Sequence, residues 1–263
     1  MKTVKKVLSL VLALSIAVFC LAGCGSKDEG KKADTEGKAA DASVLKIGTN
    51  AEFPPFEFVD SEEGVIDEFA GIDMEIANEI ATRINKKPEI NNMDFDGLLI
   101  ALENGQVDMV IAGMTVTDER AQAVDFSETY YTATQVMIVP KDSDIKSAKD
   151  IEGKKIGVID GYTGQTCVEE LGYDFEGYRK GADAILDLAN GKLDVVVIDS
   201  ATAEKFIADN ADLKVVEDSE AFADEQYAIA VKKGNKELLD SVNAAIKELK
   251  DGGKIAEISE KYN

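Results

Sequence analysis

One pattern is written twice in this chain. Residues 101–113 read ALENGQVDMVIAG and residues 187–199 read DLANGKLDVVVID. Each gives the end of a helix, an Asn-Gly stop, a two-residue step, an Asp and an apolar run. Glycine after the last helical turn accepts the left-handed conformation that ends a helix. The short apolar run that follows has the length and composition of a buried strand. The unit recurs once in each half, which argues for two lobes of related α/β build. In open parallel sheets, ligands sit beyond the carboxyl ends of the strands. The matched strands end at Gly113 and Asp199, so two facing lobes would line one cleft with these residues.

The remaining periodicities fit that reading. Residues 44–49 (VLKIGT) read as a strand. Asp73 is placed to cap a helix whose apolar stripe is Ile72, Ile76, Ile80 and Ile84. Asp96 is placed to cap the helix that stops at Asn104-Gly105, and residues 107–112 form the strand after it. Strands are expected at 213–216 and 227–231. A helix follows over 235–250, with Leu238, Leu239, Val242, Ala245, Ile246 and Leu249 on its apolar face. Gly252-Gly253 stops it, and Ile255 and Ile258 begin a last short helix.

Composition removes whole classes of function. The chain has 263 residues, enough for one large domain or two small ones. It contains no His, which rules out histidine general bases, His-dependent triads and imidazole metal ligands. No metal or cofactor is expected. The formal net charge is −22 and no basic patch stands out, which argues against a nucleic-acid partner. Cys20 and Cys24 fall near the N-terminus, leaving Cys167 alone in the body, where no disulfide can form. Cys167 reads as a small core residue or as a thiol near a ligand.

The N-terminus reads as an address. Lys2, Lys5 and Lys6 precede an apolar run over 7–19, too short and wrongly flanked for a membrane span. Leu21-Ala22-Gly23-Cys24 resembles the lipobox of bacterial lipoproteins. That resemblance implies a signal peptide over 1–23 and a lipid-modified Cys24 carrying fatty acyl groups such as palmitate. Residues 24–43 hold no large apolar side chain after the cysteine until the body begins, and read as a flexible tether.

Chemistry gathers at the strand ends. After Gly113 come Thr115 and Thr117, two hydroxyls on a loop, and then Arg120, whose planar fork suits a carboxylate. Asp199 could hold an ammonium. A fork on one side and an acid on the other match a zwitterion. Plainer readings stand beside these: Arg120 paired with Asp118 or Glu119 on the surface, and Asp199 capping the helix over 201–210. The loop 160–165 (DGYTGQ) follows a strand at 156–159 and opens a helix, whose backbone N–H groups attract anions. It lacks the Lys-Ser/Thr pair of a P-loop, so a carboxylate is the more natural guest. Phe53 and Phe95, each after a strand, suit either a ligand stem or the core.

The stretches 47–58 (IGTNAEFPPFEF), 70–81 (AGIDMEIANEIA), 112–131 (AGMTVTDERAQAVDFSETYY) and 153–164 (GKKIGVIDGYTG) resemble the amino-acid-binding family of extracellular solute-binding proteins that serve ABC importers. The resemblance runs from Val44 to Asn263. It implies a two-lobe α/β fold of the type II periplasmic-binding-protein kind, a Venus flytrap with crossover strands near 131–136 and 223–228. Lobe one would be 44–131 plus 228–263, and lobe two 132–227. It implies that Arg120 grips the ligand α-carboxylate and that Thr115 lies beside both α-groups. Gly113 would offer a backbone carbonyl, and Asp199 would take the α-ammonium. Thr163 would donate its N–H and hydroxyl to the carboxylate. Phe53 and Phe95 would stack on the ligand side chain, with Asn50 and Asp160 near its far end. Asn50 stands where many members carry Asp. The implied role is capture of a polar or basic L-amino acid by a monomeric, extracytoplasmic, lipid-anchored protein that docks on an ABC permease. The same scaffold also serves ligand-sensing receptor modules and enzymes such as dehydratases.

Overall fold

The computed structural model of the chain describes residues 43–262. The leader expected over 1–23, Cys24 and, Ser43 apart, the tether lie outside the described residues. Among those described, no helix is long and apolar enough to cross a membrane.

Two sheets share one plan. The first runs Lys87–Asn92, Val44–Thr49, Met109–Val110, Ala230–Lys232 and Val124–Phe126 from edge to edge. The second runs Phe175–Tyr178, Ile156–Ile159, Val195–Asp199, Tyr131–Pro140 and Leu213–Val216. In each, the first three strands are parallel and the fourth is antiparallel to the third. In both, the chain enters the antiparallel strand on passing between the two sheets: Tyr131–Pro140 follows Val124–Phe126, and Ala230–Lys232 follows Asp224–Tyr227. Tyr131–Pro140 and Asp224–Tyr227 pair antiparallel, Tyr131 opposite Tyr227 and Thr134 opposite Asp224. These are the two crossover strands of a two-lobe α/β fold.

The repeated sequence lies where the repeat of structure lies. Helices Leu98–Glu103 and Gly181–Ala189 end at Asn104 and Asn190, and the glycines after them both have φ near +71°. A Cβ in that left-handed conformation costs roughly 1–2 kcal/mol, which is why the stop is written with Gly twice. The strands that follow are the third strands of their sheets. All five residues of Val195–Asp199 are buried. The regular ladder in the first copy covers only Met109–Val110, shorter than the expected 107–112, although Val107, Ile111 and Ala112 are buried around it.

Three local expectations are corrected. Helix Ile72–Arg83 buries Ile72, Ile76 and Ile80 as its spacing requires, but its N-cap is Gly71 and Asp73 turns inward, fully buried. Asp96 lies within a 3-10 turn, Phe95–Gly97, and caps nothing. The run expected at 227–231 is two strands, because the chain leaves the crossover at Tyr227 and enters the first sheet at Ala230. The long helix is Lys236–Asp251, with Asn235 accepting the Leu238 N–H and Val242, Ala245, Ile246 and Leu249 buried. Beneath the crossovers, Phe56 packs edge-on to Tyr131 (4.8 Å) and Tyr227 (5.2 Å), and the two tyrosines stack at 5.7 Å. Such pairs each add about 0.5–1.5 kcal/mol beyond the area they bury.

Candidate functional site

The two matched strands end on one cavity. It is lined by Phe53, Phe95, Ala112, Gly113, Thr115 and Arg120 from the first half of the fold, and by Tyr162, Thr163 and Asp199 from the second. Its volume is about 10 Å³. That is room for about one water, so the walls must part to admit anything the size of an amino acid.

Arg120 stands on a short helix, Asp118–Ala123, whose start is fixed by the Thr117 hydroxyl accepting the Arg120 N–H. Its guanidinium makes no ion pair with Asp118 or Glu119 and turns to the cleft. It donates to the Thr115 carbonyl (2.8 Å) and, across the cleft, to the Gly161 carbonyl (2.8 Å), and lies 5.2 Å over the Phe95 ring. A guanidinium has five N–H donors, so an incoming carboxylate still finds several. Burial lowers its pKa, and the charges of Asp199 and Glu225 oppose that shift.

Asp199 is the last residue of its strand and the N-cap position of helix Ser200–Ala208, yet its side chain makes no cap bond. It is 3% exposed and accepts a hydrogen bond from the Tyr227 hydroxyl. Burial pushes its pKa up to about 7, with the nearby Glu225 charge adding to the effect and the Tyr227 and Gln135 hydrogen bonds working against it. A buried acid in that condition gains most from a cation placed against it.

Thr163 opens helix Thr163–Leu171, whose first backbone N–H groups have no partner within the helix. Its hydroxyl donates to Glu225 Oε2 (2.6 Å), as does the Thr115 hydroxyl (2.6 Å), and accepts from Gln135 Nε2 (3.1 Å). Tyr162 enters edge-on against both Phe53 (5.2 Å) and Phe95 (4.5 Å) and donates its hydroxyl to Asn50 Oδ1 (3.0 Å).

Two expected positions do not line this cavity. Asn50 is buried, held between Tyr162 and the Met93 carbonyl, to which its Nδ2 donates at 2.9 Å. Asp160 turns toward the neighbouring strand, where a Cβ built on Gly177 would meet its Oδ1 at 2.1 Å. Cys167 is half-buried at the edge of the second core, and burial pushes its thiol up to about 12, a range in which it is inert. The residues that sequence reasoning did not assign to the site are Tyr162, Glu225, Tyr227, Glu57 and Asp73, the last read only as a helix cap. Tyr162 stood in the quoted loop beside Thr163, and Glu225 and Tyr227 in the expected second crossover. Their partners became visible only with the register of that crossover.

Glu57 and Asp73 lie fully buried under the Gly113 turn. Asp73 Oδ2 accepts the Gly113 N–H (2.7 Å) and the Tyr130 hydroxyl (2.8 Å). Its Oδ1 and both Glu57 oxygens have no other donor. Two ionised carboxylates repel, whereas a proton on Glu57 removes that repulsion and can be offered to Asp73 Oδ1, leaving one Glu57 oxygen without a donor. Burial, then the Asp73 charge, raises the Glu57 pKa well above its ordinary value, and burial raises Asp73 to about 6.

Two α/β lobes joined by two crossover strands, closing on a cavity with a cation on one wall and an acid on the other, define a ligand-capture protein of the periplasmic-binding class. Residues 45–263 match the bacterial extracellular solute-binding proteins, family 3, and the chain belongs to that family. It is 35% identical over 262 residues to the arginine-binding extracellular protein ArtP of Bacillus subtilis, covering 98% of both chains. It is 35% identical over 264 residues to a probable histidine-binding protein of Neisseria gonorrhoeae, covering 96% of this chain and 94% of that one. The solved arginine-, lysine-, histidine-binding protein ArtJ of Geobacillus stearothermophilus superposes with a TM-score of 0.78 at 36% identity, over 84% of this chain and 95% of that one. Each of these relatives is named for the amino acids it binds, and others are named as ABC transporter binding proteins for glutamine and for arginine.

Proposed function

We propose that this protein captures a polar or basic L-amino acid between its lobes, 44–131 with 228–263 and 132–227, and delivers it to the permease of an ABC importer. One observation carries the reading: Arg120 and Asp199 line the same cavity from opposite lobes. An α-amino acid is the small molecule that presents a carboxylate and an ammonium on one carbon, so it meets both. Arg120 offers its remaining N–H donors to the carboxylate, and the first N–H groups of the Thr163–Leu171 helix approach the same group. Asp199 takes the ammonium, with the Gly113 carbonyl and Thr115 beside it. Phe53 and Phe95 flank the ligand side chain once Tyr162 has drawn aside.

Closure is then a population shift driven by the ligand. Arg120 serves an open lobe one, and contacts from Thr163 and Asp199 are added only when the lobes meet, so the ligand favours the closed form. Ligand identity is drawn from the relatives, which are named for arginine, lysine and histidine. The excess of acid near the cleft, Asp199 and Glu225 against Arg120, also favours a ligand carrying extra positive charge. Asn50 and Asp160 would face the ligand's far end only after rearrangement. A lipid anchor at Cys24 would keep a monomeric protein at the membrane surface within reach of its permease.

The test is a thermal-shift and calorimetric screen of the refolded protein against all common L-amino acids, with cystine and ornithine added. The expected result is saturable binding of one or a few polar or basic members. Absence of a shift with every one of them ends the amino-acid reading.

A further inference from the structure

We infer that Glu225 is a positioning residue of the ligand site, taking the hydroxyl protons of both Thr115 and Thr163 so that these oxygens meet the ligand only as acceptors. The inference rests on the amino-acid reading and reassigns roles within it. The two threonines belong with the α-ammonium, and the carboxylate is left to Arg120 and backbone N–H groups.

The geometry is economical. One oxygen, Glu225 Oε2, lies 2.6 Å from each hydroxyl. An ionised carboxylate is acceptor-only, so each threonine must donate. A hydroxyl has a single proton, and both are thereby committed. Thr163 also accepts from Gln135 Nε2 at 3.1 Å, which leaves it one lone pair and no donor. Neither hydroxyl can then donate to a ligand carboxylate, and both are free to accept from an ammonium.

Glu225 acts through the threonines rather than by touching the ligand. The small cavity is bounded by Thr115, Thr163 and Asp199 without Glu225. Glu225 lies behind the two hydroxyls, in a recess it shares with them and with Thr166 and Cys167. Its strand, Asp224–Tyr227, is a crossover. Alternation places Glu225 and Tyr227 on one face of it. Tyr227 reaches Asp199 from the same face, so one strand orients the acid and both hydroxyls. The shared oxygen also joins Thr115 of the first lobe to Thr163 of the second. That arrangement exists only when the lobes are closed.

The experiment is calorimetry on the full chain with L-arginine, L-lysine, L-histidine and L-glutamine in turn, for wild type, Glu225→Leu, Thr115→Val and the double variant. Leucine fills a similar volume with no acceptor, so both hydroxyl protons are released toward the cleft; an amide would not do this, because its one oxygen can take the place of Oε2 and accept both. Glu225→Leu is expected to weaken the bound amino acid by about tenfold or more. In the Thr115→Val background part of that loss should vanish, because one of the two routes through a hydroxyl is gone, whereas Thr115→Ser should preserve it. A merely structural Glu225 would give the same loss in every background. Equal affinity of wild type and Glu225→Leu, or fully additive losses, overturns the inference while leaving the binding function intact. If wild type binds none of the common L-amino acids, the binding function fails and this assignment with it.

Discussion

The two lobes use the same strand order to deliver opposite chemistry. In each sheet the third strand leads to the cleft, which the chain reaches at Gly113, three residues past Val110, in one and at the strand's own last residue, Asp199, in the other. Beyond Gly113 the chain makes a loop and a short helix that carries Arg120 inward. Beyond Val195–Asp199 it enters a helix at once, leaving the acid at the seam. The scaffold thus fixes where a side chain meets the ligand, and the residue at that place decides which end of the ligand it meets. If so, removing the cation should be the more severe lesion, because Asp199 and Glu225 would then face a carboxylate unopposed. Arg120→Ala is expected to lose on the order of 100-fold or more in amino-acid affinity by calorimetry, in the range for breaking a buried, hydrogen-bonded charge pair. Arg120→Lys should recover little, since an ammonium cannot supply the fork. Affinity within threefold of wild type in either variant would break the comparison.

Asp199 sharpens it. Its pKa is held near 7, chiefly by burial, so it is partly protonated at neutral pH. Only the ionised form pairs with an α-ammonium, so affinity should fall as pH drops through about 7 and level off above about 8. Binding near pH 7 should also release protons, read as a dependence of apparent enthalpy on buffer ionisation. Asp199→Asn is expected to bind about 10- to 100-fold more weakly at pH 8, with the slope between pH 6 and 8 lost. An unchanged slope in that variant would move the titration to another group.

The foundations of the two strand ends differ as well. Asp199 is held by a neutral donor, Tyr227, whereas Gly113 is held by Asp73, which shares its burial with Glu57. Asp73 has a folded pKa near 6, against an ordinary value of 3.8. Between those values the folded state binds more protons than the unfolded state, so this group's contribution to stability declines as pH rises from about 4 to about 6. The decline is bounded at roughly 3 kcal/mol and is smaller once the surroundings relax. Asp73→Asn keeps acceptors for Gly113 and Tyr130 and gains a donor toward Glu57. Denaturant unfolding should show that it flattens this part of the pH curve. A wild-type slope retained in the variant would place the titration elsewhere.

The sequence disclosed the repeated part of this design and concealed the paired part. The helix, Asn-Gly stop and apolar strand are local: a left-handed glycine and a buried run are both written within a dozen residues, and both copies fold in that order, the strand of the first being shorter than read. The convergence of Gly113 and Asp199 followed from topology alone. What stayed hidden depends on register between distant strands. Asp73 resembled a helix cap because acids often begin helices, but Gly71 already turns the chain and the carboxylate is drawn under Gly113. Glu225 looked like one acid among many in a chain of net charge −22. Only the pairing of Tyr227 with Tyr131 places it behind two threonines 62 and 110 residues away. Asp160 and Asn50 show the converse: adjacency to a strand end in sequence did not put their side chains on the cavity.

The rim of the cleft should behave unlike its centre, and this sets the smallest effect. Lys180 of the second lobe reaches Glu52 of the first at 2.6 Å, and Arg179 reaches Asp94 at 2.7 Å. Both pairs exist only across the closed cleft, as the Arg120–Gly161 bond does. Yet their side chains are exposed, so water and salt screen them, and holding long side chains in place offsets the attraction. Lys180→Ala and Arg179→Ala are each expected to change amino-acid affinity by no more than about threefold at physiological salt, with the difference shrinking further at high salt. Their effect should be plainer in the association rate at low ionic strength, where removing two cations from the mouth of an acidic cleft alters the approach of a charged ligand. A tenfold loss at physiological salt from either variant would mean that the lobes are held together at the rim. The division of labour between a buried, charge-specific centre and a replaceable edge would then have to be reversed.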